Sequence, residues 1–236
     1  MKLRIFIFFI VLSNLIGQNP GIIQRNFQNG IDGIKSTVFE KPARNLLLAG
    51  GIGVAIAYQF DSDVQDWFLE KQPLPESVNR FGDHYGNLYS GIIALTVSGI
   101  SAYKTNSLNK FEYAFATLSA NGLTTVILKE VVGRERPNGA NHRSFPSGHT
   151  SHSFATATIF KELFGWKLGA PAYCLATITA MNRIQDNKHY LSDVVFGASL
   201  GTAFGIGFSQ VYLKQPKKLD LSYNWVKSEM QITIRF

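Results

Sequence analysis

The sequence predicts an all-α fold, a six-helix bundle, and three observations carry that expectation. Six apolar stretches stand out, at about 46–60, 88–103, 113–128, 150–164, 168–182 and 190–213. Each is longer than an ordinary strand of roughly five or six residues, so a helix accounts for it better. Small residues recur within them, and Gly50, Gly51, Gly53, Gly197 and Gly201 would let the helices approach closely.

The segments divide in chain order. Residues 1–17, "MKLRIFIFFIVLSNLIG", carry two early cations and an apolar run from Ile5 to Gly17. That run falls short of the roughly 20 residues that cross a bilayer, so it reads as a signal peptide or, if uncleaved, a signal anchor. Either implies export to a bacterial-type cell envelope. Residues 18–45 are mixed and polar, a surface segment or amphipathic lead-in. The helical domain takes 46–213, with loops expected at 61–87, 129–149 and 183–189. Within the tail, 214–236, "EMQITIRF" alternates Met230, Ile232, Ile234 and Phe236 with polar neighbours, the pattern of a short strand. The single cysteine, Cys174, lies in an apolar run and reads as a buried, inert thiol.

Composition narrows the function. The 236 residues are 45% hydrophobic and 17% charged, with a net charge of +7. No nucleic-acid motif accompanies the charge, which points instead to a membrane surface or an anionic substrate. If all six stretches span a membrane, the three loops share one side, and Lys104, Lys110, Lys161, Lys167, Lys214, Lys217 and Lys218 lie on the other. The positive-inside rule then puts the loops outside. A cleaved signal would put them in the cytoplasm. Both rules hold only if one stretch does not cross, or if the bundle is exported and merely associates with a membrane. The expectation is a membrane-associated protein with its site on the periplasmic side; a soluble periplasmic protein is the alternative.

Four polar clusters lie where the helices end. In "KEVVGRERP", Lys129 and Arg136 are seven residues apart, nearly two turns, and share a face if the helix reaches that far. The plain alternative is a basic loop. In "PSGH", Ser147 can cap a helix, Gly148 leaves the backbone open to a ligand, and His149 falls in the first turn. A helix start with an incidental histidine is the alternative. In "RIQDNKHYLSD", His189 and Asp193 are four apart and meet if helical. A carboxylate on one imidazole nitrogen leaves the other free to attack; a surface pair is the alternative. The last cluster, "NRFGDHYGN" with Asp83 and His84, suits a substrate entrance, but an ordinary interhelical loop serves as well. Taken together, three cations (Lys129, Arg136, Arg183), two histidines and a carboxylate gather at corresponding helix ends, a set suited to a phosphoryl group.

On these motifs the chain resembles the type 2 phosphatidic acid phosphatase superfamily. That family's signature is Lys, six residues, Arg-Pro; then Pro-Ser-Gly-His; then Ser-Arg, five residues, His, three residues, Asp. Here Lys129 leads to Arg136-Pro137, then Pro146 to His149, then Arg183 to His189 to Asp193. The match covers roughly 110–213, and Asn182 stands where the family has Ser. The resemblance implies a six-helix phosphatase bundle that uses no metal or other cofactor. By the same resemblance His189 is the nucleophile, Asp193 its orienting partner, and His149 the general acid and then base. Lys129, Arg136, Ser147, Gly148 and Arg183 would hold the phosphate, with Asn182 as a minor contact. The implied substrate is a phosphoester, most naturally a lipid phosphate such as phosphatidate, a polyprenyl diphosphate or a lipid A phosphate. The rivals are a soluble-substrate acid phosphatase, a haloperoxidase holding vanadate on the same residues, a metallohydrolase using His149, His152, His189 and Asp193, and a non-catalytic helix bundle.

Overall fold

The computed structural model describes residues 20–105, 107–213, 219–224 and 229–234. The 1–17 segment lies outside the described residues, as do Lys214, Lys217 and Lys218. The helices are α1 (Pro20–Phe39), α2 (Ala43–Tyr58), α3 (Asp61–Lys71), α4 (Glu76–His84), α5 (Ser90–Thr105), α6 (Asn109–Val132), α7 (Gly148–Phe164), α8 (Trp166–Gln185) and α9 (Leu191–Tyr212). One π-helical turn, Tyr85–Tyr89, joins α4 to α5. A hairpin follows, β1 (Leu219–Asn224) antiparallel to β2 (Glu229–Ile234), in a register that pairs Leu219 with Ile234.

The six expected helices are α2 and α5 to α9. The chain forms more than those. The lead-in contains α1, tied to α6 by Arg25 to Glu112 at 2.7 Å. The expected loop at 61–87 contains α3 and α4. Their sequences are too polar to show an apolar run, yet Gln65 of α3 donates to the Ile184 carbonyl at 2.9 Å and Asn79 of α4 to Asp186 at 2.7 Å. Both helices are held by polar contacts to the end of α8, and α3 adds one apolar anchor, Phe68, packed with Ala180, Ile184 and Val194. The strand read at the C-terminus is β2; its partner β1 was not foreseen, although Leu219, Leu221 and Tyr223 alternate in the same way.

At the centre, α7 packs between α6, α8 and α9. It is built largely of Thr, Ser and Ala and is buried from Thr150 to Phe160 except at His152 and Phe154. Two of its hydroxyls return to its own backbone, Ser153 to the His149 carbonyl at 2.8 Å and Thr158 to that of Phe154 at 2.9 Å, and Ser151 donates to Asn121 of α6 at 2.6 Å. Such short side chains let neighbours come close. A Cβ on Gly201 of α9 would stand 2.0 Å from the Ser151 carbonyl oxygen, and one on Gly197 2.7 Å from that of Ser147. Across the other face, Gly50 of α2 meets Ser199, where a Cβ would lie 2.5 Å from the Ser199 Cβ. Gly51 differs from the expectation, because it faces open space. The apolar core then closes around Tyr113, Ile159, Phe204 and Phe208, with the Tyr113 hydroxyl bonded to the Gly205 carbonyl at 2.8 Å.

The outer surface is also apolar. Leu48, Ile52 and Ile56 on α2, and Leu123, Ile127 and Val131 on α6, point outward at four-residue spacing. Among the described residues α9 is long and apolar enough to cross a membrane, though 61% of its apolar window is buried in the bundle. The same outward apolarity corrects the reading of Cys174, which is exposed. An apolar helix in this bundle is not thereby a buried one.

Candidate active site

One end of the bundle gathers the C-termini of α6 and α8, the N-termini of α7 and α9, and the short helices α3 and α4. Helix α6 stops at Val132 because Gly133 takes a left-handed conformation (φ 58°) and its N–H closes on the Lys129 carbonyl. The expected helical face shared by Lys129 and Arg136 therefore does not form. Arg136 reaches the site from a turn instead, its N–H on the Asn141 carbonyl at 3.0 Å and its carbonyl accepting from Gly139 at 2.9 Å. Lys129 stays in the last turn of α6 and donates to the carbonyl of Arg143 at 2.6 Å.

Ser147 is the N-cap of α7 by position, but its side chain makes no capping bond. The hydroxyl pairs with Thr150 Oγ1 at 2.9 Å, while the Ser147 N–H donates to the Asp193 carbonyl at 3.0 Å. That second bond joins the start of α7 to the first turn of α9. A Cβ on Gly148 would make only ordinary contacts, 3.5 Å to Thr125 and 3.7 Å to Lys129 Cε, so packing does not require glycine here.

His189 also departs from the expected helix. It precedes the N-cap, Tyr190, and its N–H is held by the Arg183 carbonyl at 3.1 Å. Asp193, third in α9, nonetheless lies beside it, with Oδ2 3.7 Å from His189 Nδ1. That gap is beyond a hydrogen bond. Asp193 is already engaged: Oδ2 accepts from the Ser144 hydroxyl at 2.5 Å and the Tyr190 N–H at 2.9 Å, and Oδ1 from Arg134 at 2.7 Å. Side-chain exposure is 2% for His189 and Arg183 and 0% for Asp193. Burial, reinforced by the cations Lys129 and Arg183 and opposed by Asp193, pushes the His189 imidazole down to about 4. The imidazole is neutral above that value.

Asn182 does not face the site with a free donor. Its Nδ2 donates to the carbonyl and Oδ1 of Asn79, and its Oδ1 accepts from Arg183 Nη1 at 2.9 Å. It braces Arg183 against α4. The Nε groups of Arg183 and Arg136 are both buried without a partner.

Asp83 is the residue whose place sequence reading mistook. Residues 79–87 are not a loop but the end of α4 and the π-helical turn. Asp83 Oδ1 bonds Arg183 Nη1 and lies 3.7 Å from Lys188 Nζ and 3.9 Å from His149 Nε2. Burial alone would raise its carboxyl, but Arg183, with Lys188 and His149, holds it below the ordinary range. His84 points elsewhere, edge-on to Tyr89 at 6.0 Å. Among the described residues no group of three or more His, Cys, Asp or Glu is placed to hold a metal ion. His152 in particular lies against Gly91 of α5.

The comparisons agree with this geometry. Residues 109–217 match the model of the PAP2 superfamily. A lipid A 1-phosphatase of Porphyromonas gingivalis is 41% identical over 76 residues, 31% of this chain and 17% of that protein. A lipid A 4'-phosphatase of Helicobacter pylori is 28% identical over 123 residues, 52% of this chain and 58% of that one. The chain spans less than two thirds of the length of the curated relatives it matches. The crystal structure of Aquifex aeolicus LpxE superposes with a TM-score of 0.54 at 21% identity, over 66% of this chain and 96% of that one, which establishes the shared fold. With the three signature motifs meeting at one end of that helical fold, residues 109–217 carry the sequence and the fold of the PAP2 superfamily.

Proposed function

We propose that the protein is a metal-independent phosphatase that hydrolyses a lipid phosphate through a phosphohistidine on His189. One observation carries this reading: a neutral, buried imidazole turns Nδ1 toward a fixed carboxylate, beside Lys129 and Arg183. Its Nε2 is then the free nitrogen. In the first step Nε2 attacks phosphorus, the N–P bond forms, and the P–O bond to the lipid breaks. His149, which burial and Arg183 push down to about 3 in the free site, takes up a proton along with the phosphate anion and gives it to the departing oxygen, and Asp193 offsets the charge that develops on His189. In the second step His149 takes a proton from water, the water oxygen bonds phosphorus, and the N–P bond breaks to release phosphate. Lys129, Arg136 and Arg183, the Gly148 N–H and Ser147 would hold the phosphoryl oxygens. The partnerless Nε groups of the two arginines are ready donors for them.

The substrate class rests on two supports. Relatives named lipid A 1-phosphatase and lipid A 4'-phosphatase make a lipid A phosphate the first candidate. The outward apolar stripes of α2 and α6 suit acyl chains, so the bundle is read as membrane-associated with its site at the periplasmic face. The test is phosphate release in EDTA from lipid A, phosphatidate, a polyprenyl diphosphate and a soluble phosphomonoester. Release from a lipid substrate, undiminished by EDTA, is expected. Strict dependence on an added divalent metal would overturn the metal-independent reading, and a preference for the soluble ester would overturn the lipid one.

Asp83 yields a further expectation. Its carboxylate touches two groups that the phosphate also needs, Arg183 and His149, so substrate must displace it. Asp83→Asn removes the competing anion, and inhibition by inorganic phosphate should tighten by roughly three- to tenfold. Weaker inhibition would instead mean that Asp83 holds Arg183 in its binding pose.

A further inference from the structure

We propose that Arg134, clamped by Asp61, is a positioning residue that fixes the carboxylate of Asp193 against His189. Arg134 falls inside the six-residue gap between Lys129 and Arg136, so none of the signature positions includes it. Its surroundings differ from those of the other site arginines. Nη1 donates to Asp193 Oδ1 and to Ser192 Oγ, each at 2.7 Å, and Nη2 donates to Asp61 Oδ2 at 2.7 Å. The guanidinium carbon lies 4.1 Å from the Tyr190 ring and 5.4 Å from that of Tyr58. Both terminal nitrogens and the aromatic contacts are engaged, whereas Arg136 and Arg183 keep partnerless donors. Arg134 is therefore built to hold protein and not phosphate.

Asp61 completes the clamp from α3. Its Oδ1 accepts the Ser192 N–H at 2.8 Å and its Oδ2 the Ser192 hydroxyl at 2.7 Å. A carboxylate from a distant helix thus binds the N-terminal turn of α9, where the free N–H groups and the dipole favour an anion. Asp61 and Arg134 together fix the turn that carries Asp193. With Oδ1 on Arg134 and Oδ2 on Ser144 and Tyr190, the carboxylate cannot rotate to follow the imidazole. The 3.7 Å gap to Nδ1 is therefore set by the clamp.

This inference rests on His189 as the nucleophile, but its signature is electrostatic and needs no turnover. Arg134 and Asp61 carry opposite charges, so removing them should move His189 in opposite directions. His189 is otherwise faced by Asp193 from α9, Lys129 from α6, Arg183 from α8 and His149 from α7, all of which remain in place. The experiment is NMR of the full chain with ¹⁵N-labelled histidine, the His189 signal being identified by its loss in His189→Gln. The protonated fraction is read at one mildly acidic pH. Arg134→Gln should raise the His189 midpoint by about 1 unit, Asp61→Asn should lower it, and Arg134→Lys should leave it near wild type. In the phosphatase assay Arg134→Gln should lower kcat by roughly 10- to 100-fold with KM little changed, and Arg134→Lys should recover part of that loss.

Shifts in the same direction, or none, would overturn the proposal. So would a rise in KM at constant kcat, which would make Arg134 a phosphate ligand. If Arg134→Gln does not fold, Asp61→Asn and Arg134→Lys carry the test, and an unchanged or raised midpoint in Asp61→Asn overturns it. Retained turnover in His189→Ala would defeat the nucleophile assignment while leaving the opposed shifts to stand or fall separately.

Discussion

His189→Ala should lower phosphate release by at least ~10⁴-fold, because alanine offers no atom to form the N–P bond and the whole two-step route is lost. The size of the effect follows from how the group is held. The imidazole is almost fully buried and neutral at ordinary pH, and the backbone that carries it is held by the His189 main-chain N–H on the Arg183 carbonyl. His149 is held elsewhere, in the first turn of α7 with its Nε2 3.9 Å from Asp83, and on the proposed route it serves the leaving group rather than the phosphorus. Adding His149→Ala to His189→Ala should cost little more, since the acid has no leaving group to serve once the nucleophile is gone. The check is the rate of phosphate release from a lipid substrate by folded single and double variants. Full additivity of the two losses would mean that the histidines act independently.

The largest structural effect is expected at Gly201. Here α9 crosses α7 so closely that a Cβ would sit 2.0 Å from the Ser151 carbonyl oxygen and 2.8 Å from the Ala155 nitrogen. Both obstacles are backbone, so no rotamer change relieves them. Gly201→Ala should therefore destabilise the bundle by roughly 3 kcal/mol or more, about 6–12 °C in Tm. The matched control is Gly51→Ala in α2, which meets nothing within 4 Å. There the gain in helix propensity should leave stability unchanged or raised by about 0.5–1 kcal/mol. Thermal unfolding of both variants in one detergent decides the matter; equal shifts would refute the close α7–α9 packing. Because Ser147 and Asp193 are joined across that same crossing, Gly201→Ala should also lower activity below the melting range.

These two positions show what the sequence made legible. Gly201 and the Lys129, His149 and His189 motifs could be read directly, since apolar runs and fixed spacings are local signals. What could not be read depends on contacts between distant segments. Helices α3 and α4 lack an apolar run and owe their placing to Gln65, Leu74 and Asn79, which bond to the end of α8. Asp83 looked like a loop residue for the same reason, and only the fold brings it to Arg183. Whether α6 reaches Arg136 was left open by the sequence, and Gly133 in a left-handed conformation stops the helix at Val132. Asn182 looked like a phosphate donor until α4 appeared beside it to take both of its N–H bonds. Burial was hardest of all: Cys174 and the stripes on α2 and α6 are apolar and face outward.

The central claim is a covalent phosphoryl group on His189, and the most direct measurement is to trap it. Enzyme would be mixed with ³²P-labelled lipid phosphate in EDTA, quenched in alkali within one turnover, and digested for peptide mapping. The account predicts label on the peptide carrying His189, stable in base and lost in acid, and absent from His189→Ala. Turnover with no label on that peptide under these conditions would contradict it.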